Sequence, residues 1–466
     1  MHRPVLGSCP LLRLPEHSPA RKLSISSFSS LLLLMLHVAI VPSAHARVSS
    51  KQLSFYQELD PQSSSADNEL DDAASFYVAE VPDRYVRGVS GLGTVETNAQ
   101  YGFVSLGNLL SPEHDHWDTV WHQIDAWYNN QMMVSPHRTW DAAEADVIFV
   151  PAMLSMKSPE DLDSFVDDAY SFLPYLGSKP HMVVLSHAAM IYNRISHILT
   201  TQNSRMFMFL SFVQYDEELA KTSNATDLSH VLGCPQFSHV HWSQGSWQLQ
   251  PKGRKFRAAD LVNSKSLFST ESFGVRHYED RFAAFEDCIE RSDLCTHLDY
   301  SGPQDAVPVY EAYQAAWFVL HPRADFIARS AWFDTLLADS IPVVFQLEYI
   351  KAVPFADVLD YDRLMVVVPE EVIEGQDGQN IVGLLWDDFK QEEALKRIEY
   401  IHSVRHVFQY SVNPRHELVG WSQRSKLHPD DDAFTFTLKS VLRKVCQDGW
   451  LAERCHMEGA ADDARD

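Results

Sequence analysis

The chain has 466 residues, too many for one ordinary core and enough for two or three domains. Hydrophobic residues make up 45%, with 25 Phe, 17 Tyr and 11 Trp, which supplies ample apolar surface and argues against a largely disordered chain. Thirty-eight basic residues stand against 63 acidic ones, a net charge of −25, and no run of Lys and Arg interrupts that field, so nucleic acid is not the expected partner.

The N-terminal 30 residues carry Arg3, Arg13, Arg21 and Lys22 against Glu16, and Leu31 to Val41 is apolar but for His37. Ala44-His45-Ala46 has the small-residue form of a processing site. Counted back to Ile25 the apolar stretch reaches 17 residues, about the shortest that spans a bilayer. Residues 1–46 therefore read either as a signal peptide cleaved near Ala46 or as the signal anchor of a single-pass type II membrane protein with a luminal body. Both imply entry into the secretory pathway. From Gln52 to Asp83 there are eight acids and no Lys or Arg, with Pro61-Gln62-Ser63-Ser64-Ser65 between them, and residues 47–74 read as an acidic stem or linker.

Order is expected from Ser75, where FYVAEV reads as a first strand. Val147–Val150 and Met182–Leu185 follow, separated by a helical pattern over 159–176; later come Phe318–Leu320 and Ile341–Phe345. Short apolar strands alternating with helices predict an α/β fold whose parallel sheets are covered on both faces. The polar stretch from Gln244 to Arg257 divides the strands into two groups, predicting domains over 75–250 and 251–445 and an acidic tail over 446–466. In an oxidising compartment the pairs Cys288–Cys295 and Cys446–Cys455 are close enough in sequence for local disulfides, with Cys234 left single. Asn224-Ala225-Thr226 is an N-glycosylation sequon in a polar stretch.

Common cofactor fingerprints are missing: there is no GxGxxG, GxxxxGK[ST], GxSxG or CxxC. His402 and His406 share a helical face without the Glu of a zincin motif. His114 with His116, and His239 with His241, have no third ligand nearby in sequence, and Asp430-Asp431-Asp432 follows His428-Pro429 in what reads as a solvated turn. No metal site is predicted.

Residues 317–345, WFVLHPRADFIARSAWFDTLLADSIPVVF, carry more information. They read as strand, loop, helix and strand, with Asp339 accepting the left-handed stop before the second strand. Ligands of open α/β sheets lie beyond the carboxyl ends of strands, at helix N-termini. Arg329 falls where a diphosphate would sit, and Asp334 is one and a half turns further, able to accept from ribose hydroxyls. On spacing alone the two residues read first as an Arg–Asp pair on an ordinary surface helix.

This stretch resembles the exostosin family, the family-47 glycosyltransferases, and in particular its plant-type branch with xyloglucan galactosyltransferase-like members. Pro322, Asp325, Arg329, Ser330, Phe333, Asp334, Ala338, Ile341, Pro342 and Val343 match that pattern; Ala324, Phe326 and Asp339 depart from it. Further landmarks occur in order: Tyr77-Val78 with Pro82 and Arg84, Glu144-Ala145-Asp146 with Phe149-Val150-Pro151, Pro174-Tyr175 with His181 and Ser186-His187, Leu267-Phe268-Ser269 with Arg276, and Pro354-Phe355 to Pro369. Ala188 replaces a usual Asp. The resemblance spans roughly residues 75–410.

The resemblance implies a GT-B fold, two Rossmann-like domains facing a cleft, with the acceptor on the first and the nucleotide-sugar donor on the second. It implies inverting transfer from a nucleotide-sugar, a UDP-sugar in the first instance, to a polysaccharide or glycoprotein glycan in the Golgi, without metal or other cofactor. Oligomers with itself or with other glycosyltransferases fit the same picture. Arg329 and Arg276 would hold the diphosphate, Ser330 would stand at the helix entry, Asp325 would orient the donor, Asp334 would bind ribose, and His187 would be the base. The departures at Ala324, Phe326 and Ala188 leave open a glycan-binding member without catalysis.

Overall fold

The computed structural model describes residues 74–86, 107–111, 116–119, 124–152, 154, 159–185, 207–211, 231–240, 253–262, 274–299, 306–322, 329–345, 353–368, 380–388, 391–410 and 432–450. In chain order the strands are β1 (Phe76–Val78), β2 (Gly107–Ser111), β3 (His116–Thr119), β4 (Arg138–Thr139), β5 (Val147–Phe149), β6 (His181–Leu185), β7 (Phe207–Ser211), β8 (Val231–Gly233), β9 (Phe256–Val262), β10 (Cys295–Asp299), β11 (Ala316–His321), β12 (Ile341–Val344) and β13 (Val366–Val367). They form two sheets, ordered β4-β1-β5-β6-β7-β8 and β10-β9-β11-β12-β13, and an antiparallel hairpin of β2 and β3. Every pairing within the two large sheets is parallel.

The apolar runs explain the strands. Val147, Ile148 and Phe149 are all buried, as are Phe318, Val319 and Leu320 and the whole of β12, because helices cover both faces. Helix Pro159–Phe172 begins with a proline whose missing N–H costs nothing there, and it buries Phe165 and Ala169, four apart, against Ile148 and Val183. The second core gathers Phe318, Leu320, Val343, Trp332, Phe333 and Leu336 around helix Ser330–Leu337.

That helix ends on a left-handed aspartate. Asp339 has φ +56°, its N–H donates to Leu336 O, and the N–H of Ser340 donates back to Thr335 O. These are the two bonds of a Schellman stop, made here by Asp in place of the usual glycine. The carboxylate justifies the exchange: Asp339 Oδ2 lies 2.9 Å from His402 Nδ1 and 2.8 Å from the buried Arg405 guanidinium. Arg405 also donates to Leu337 O, where the helix leaves carbonyls unpaired.

The two halves are stitched together by chain that crosses between them. Phe237 packs in the first core while Val240, three residues later, packs in the second. Phe408 belongs to the second core and Tyr410 to the first, where Tyr410 donates to Pro235 O at 2.8 Å. Gly233, at the end of β8, allows a close approach: a Cβ there would stand 3.1 Å from the Pro354 backbone.

The domain boundaries need one correction at the C-terminal end. Helix Ala433–Gln447, placed by sequence in the second domain, packs on the first. Asp432 caps it by accepting from Thr435 N–H, and Phe434, Leu438, Val441 and Val445 form a stripe that meets Trp127, Tyr128 and Phe237. Four rings make edge-on contacts around Trp127: Tyr128, Phe237, Tyr410 and Phe434. No helix among the described residues is long and apolar enough to cross a membrane; the N-terminal apolar run lies outside them.

Cys288 and Cys295 are joined, closing the turn between helix Gly274–Glu290 and β10. Cys446 is disulfide-bonded as well, while Cys455 lies outside the described residues. Cys234 is a buried thiol, and burial pushes its pKa to about 12, which makes it inert.

Candidate functional site

In the second sheet the chain passes from β9 outward to β10, then returns across β9 to continue through β11, β12 and β13. The direction of winding reverses between β9 and β11, a topological switch point, and at the carboxyl edge of such a point open α/β sheets form their ligand crevice. Register places Asp260 of β9 opposite Leu320 of β11 and opposite His297 of β10. His321 is the last residue of β11.

Above this edge helix Ser330–Leu337 begins. Arg329 is its N-cap residue, in extended conformation (φ −78°, ψ 163°), and no side chain caps the helix. Among the described residues the third N–H, that of Trp332, turns back to the Arg329 carbonyl at 2.9 Å. An uncapped helix start presents its leading N–H groups and the positive end of the dipole to whatever lies over the crevice. The Arg329 charge reaches both walls: it favours ionisation of Asp260 and disfavours protonation of His321.

Those two side chains are buried polar groups in an otherwise apolar layer. Asp260 is 1% exposed, and one carboxylate oxygen lies 3.3 Å from His297 Nδ1. Burial pushes its carboxyl up, and the hydrogen bond from His297 and the Arg329 charge hold it back. His321 is 2% exposed, with Nε2 at 2.9 Å from Thr335 Oγ1 and Nδ1 unpaired. Burial, and then Arg329, drive its pKa well below the ordinary imidazole value.

The residues anticipated from sequence divide into three groups. Arg329 and Ser330 stand at the helix entry over the crevice. Asp334 is buried one and a half turns on, with its carboxylate held by His239: the backbone N–H donates to Oδ1 at 2.7 Å and the ring Nδ1 to Oδ2 at 2.9 Å. Arg276 lies in the first turn of helix Gly274–Glu290, which follows β9, but its side chain is outside the described residues, as are the whole of Asp325, His187 and Asn224. Sequence reasoning missed Asp260, His297 and His321. Asp and His inside strand-like runs were the available signal, since a charge there needs a reason to be buried.

The exostosin GT47 domain matches residues 56–380 of the chain. No curated protein sequence gives a significant match. Solved structures that resemble the chain include a mutant of TarM from S. aureus with fondaparinux, α-GlcNAc-glycerol and UDP (7% identity, TM-score 0.30, covering 62% of this chain and 55% of that one). Another is the pneumococcal O-GlcNAc transferase GtfA with UDP and GlcNAc (12%, 0.32, 64% and 57%). A third is Arabidopsis thaliana UGT89C1 with quercetin (10%, 0.27, 67% and 72%). The chain spans a little over half the length of the first two. The two parallel sheets themselves, each with helices between its strands, give an α/β fold of the GT-B type.

Proposed function

Because the chain belongs to the exostosin GT47 family, we propose that it is a glycosyltransferase whose nucleotide-sugar donor lies over the β9/β11 crevice. The observation that carries this reading is Arg329 at an uncapped helix start above a topological switch point, the arrangement that holds an anionic diphosphate in open α/β sheets.

The proposed reaction is a single displacement with inversion. An acceptor hydroxyl oxygen bonds to the anomeric carbon, the bond from that carbon to the diphosphate oxygen breaks, and the acceptor proton passes to a base, for which His187 is the candidate. Negative charge grows on the leaving diphosphate, and Arg329, Arg276 and the leading N–H groups of helix Ser330–Leu337 would offset it. Protein cations at that place let the reaction run without a divalent metal. UDP is the first nucleotide to test, with a polysaccharide or glycoprotein glycan as acceptor.

The finer family placement in the plant-type branch rests on the Arg329-Ser330, Phe333-Asp334 and Ile341-Pro342-Val343 pattern. Residence in the Golgi membrane as a type II protein, alone or with other glycosyltransferases, rests on the basic N-terminus, the apolar run and the acidic stem. Incubating the full chain with UDP- and GDP-sugars, with and without chelator, tests the activity: donor hydrolysis or transfer that survives the chelator is expected. A folded protein that binds none of these donors refutes the reading. A mature N-terminus at Arg47 on protein recovered from the medium would refute membrane retention alone.

A further inference from the structure

His321 is chemically specified further than its position alone would suggest. The hydroxyl of Thr335 has one proton, and it goes to Ala331 O at 2.9 Å, the back-bond of a helical threonine to the preceding turn. Toward His321 the hydroxyl can therefore only accept, so the proton of the neutral ring sits on Nε2. Nδ1 is left as a bare lone pair. It is buried, it has no partner among the described residues, and it stands at the carboxyl end of β11, at the switch-point edge of the sheet. Buried acceptors without partners are rare, because the lost hydration is not replaced.

What fills that position must donate. A phosphate oxygen is an acceptor and would face the lone pair with like polarity. A metal cation would be repelled by Arg329, whose charge already acts on this ring. A hydroxyl fits both demands, being neutral and a donor. On the reading of the crevice as a donor site, such hydroxyls flank the diphosphate on both sides, on the ribose and on the transferred sugar.

We propose that His321 Nδ1 accepts a hydrogen bond from a hydroxyl of the nucleotide-sugar next to its diphosphate and so selects donors that carry that hydroxyl. Thr335 is then a positioning residue, fixing the tautomer that makes His321 an acceptor.

The test is calorimetry on the full chain with UDP, 2′-deoxy-UDP, 3′-deoxy-UDP and a panel of UDP-sugars. Wild type should lose about tenfold to a hundredfold in affinity when the read hydroxyl is missing, the cost of stranding a buried acceptor. His321→Leu should bind the hydroxyl-bearing ligand that much more weakly and no longer discriminate. His321→Asn, which restores a carbonyl acceptor, should recover part of the discrimination. Loss of discrimination among the UDP analogues assigns the hydroxyl to ribose; loss only of the preference among UDP-sugars over UDP assigns it to the sugar. If His321→Leu binds UDP and keeps wild-type discrimination in both arms, the inference fails while the donor-site reading stands. If wild type binds no nucleotide at all, both fail. Should His321→Leu not fold, Thr335→Val decides: it removes the accepting oxygen behind the ring, and unchanged discrimination in that variant overturns the inference.

Discussion

Asp334 and His239 are joined twice, by the backbone N–H of His239 at 2.7 Å and by its ring Nδ1 at 2.9 Å, so that both carboxylate oxygens serve one residue. His239 lies in the stretch where the chain crosses from the first core to the second, between Phe237 and Val240. The pair thus fastens the crossover to helix Ser330–Leu337. Its geometry competes with the ribose-binding role that the sequence pattern assigns to Asp334.

Replacing Asp334 separates the two roles. Asp334→Ala leaves the His239 N–H and the ring without their acceptor, and stability should fall by about 2 kcal/mol in denaturant titration. Asp334→Asn keeps one oxygen and should cost less. If the residue is a pin for the crossover, Asp334→Asn holds UDP affinity within about threefold; a ribose ligand lost to the amide should weaken it roughly tenfold or more.

Asp339 gives a contest of two effects with different magnitudes. Asp339→Gly removes the strain of a left-handed non-glycine residue, a gain of about 1 kcal/mol. It also takes the carboxylate from the buried Arg405 and from His402, and removing one partner of a buried ion pair costs about 3–5 kcal/mol. The second effect is larger, so the variant should be destabilised although glycine suits the left-handed stop better. A rise in unfolding midpoint would show that the ion pair contributes nothing.

Buried neutral histidines set the acid limit. Burial, with the Lys439 charge adding to it, lowers the His137 pKa to about 4, and burial lowers those of His181 and His321 too. In each the folded value lies below the unfolded one near 6.5, so the unfolded chain takes up the proton first. The stability they confer is complete above that pH and is lost as pH falls; for His137 alone the loss between 6.5 and about 4 is about 3 kcal/mol. His137→Gln should flatten that part of the stability profile, read by urea unfolding at stepped pH. An unchanged slope would mean that His137 charges freely in the folded protein.

Much of the architecture was readable because its strands are contiguous apolar runs. Val147–Val150, Met182–Leu185, Phe318–Leu320 and Ile341–Phe345 needed no partner to be recognised. Strand β9 escaped because Arg257 and Asp260 interrupt its apolar character, and the same Asp260 is buried within reach of the Arg329 charge. The packing of helix Ala433–Gln447 on the first core was not legible, since local pattern shows which face is apolar and not what meets it. Arg329 was singled out by its place before a helix together with the family resemblance, because spacing alone reads as an ordinary surface pair. Asp260, His297 and His321 come together only through sheet register, a long-range property that spacing does not encode.

Arg329 carries the most direct functional prediction. Charge on the leaving diphosphate is greater in the transition state than in the bound donor, so a cation placed there acts mainly on turnover. Arg329→Ala should lower turnover by roughly a hundredfold or more, the loss typical of one preorganised charge-stabilising group, about 3 kcal/mol. Arg329→Lys should recover only part, because a point charge cannot reproduce a planar two-pronged contact. The same substitutions have a readout that does not depend on turnover. Arg329 favours the ionised form of Asp260 and the neutral form of His321. Its removal should therefore raise both pKa values, visible for the histidine as an NMR titration moved toward higher pH. Folding should persist, since Arg329 is only half-buried and no side-chain cap of the helix is lost with it. Near-normal turnover in Arg329→Ala would place the diphosphate elsewhere. An altered titration of His321 with unaltered turnover would leave Arg329 a neighbour of the crevice that does not touch the reacting group.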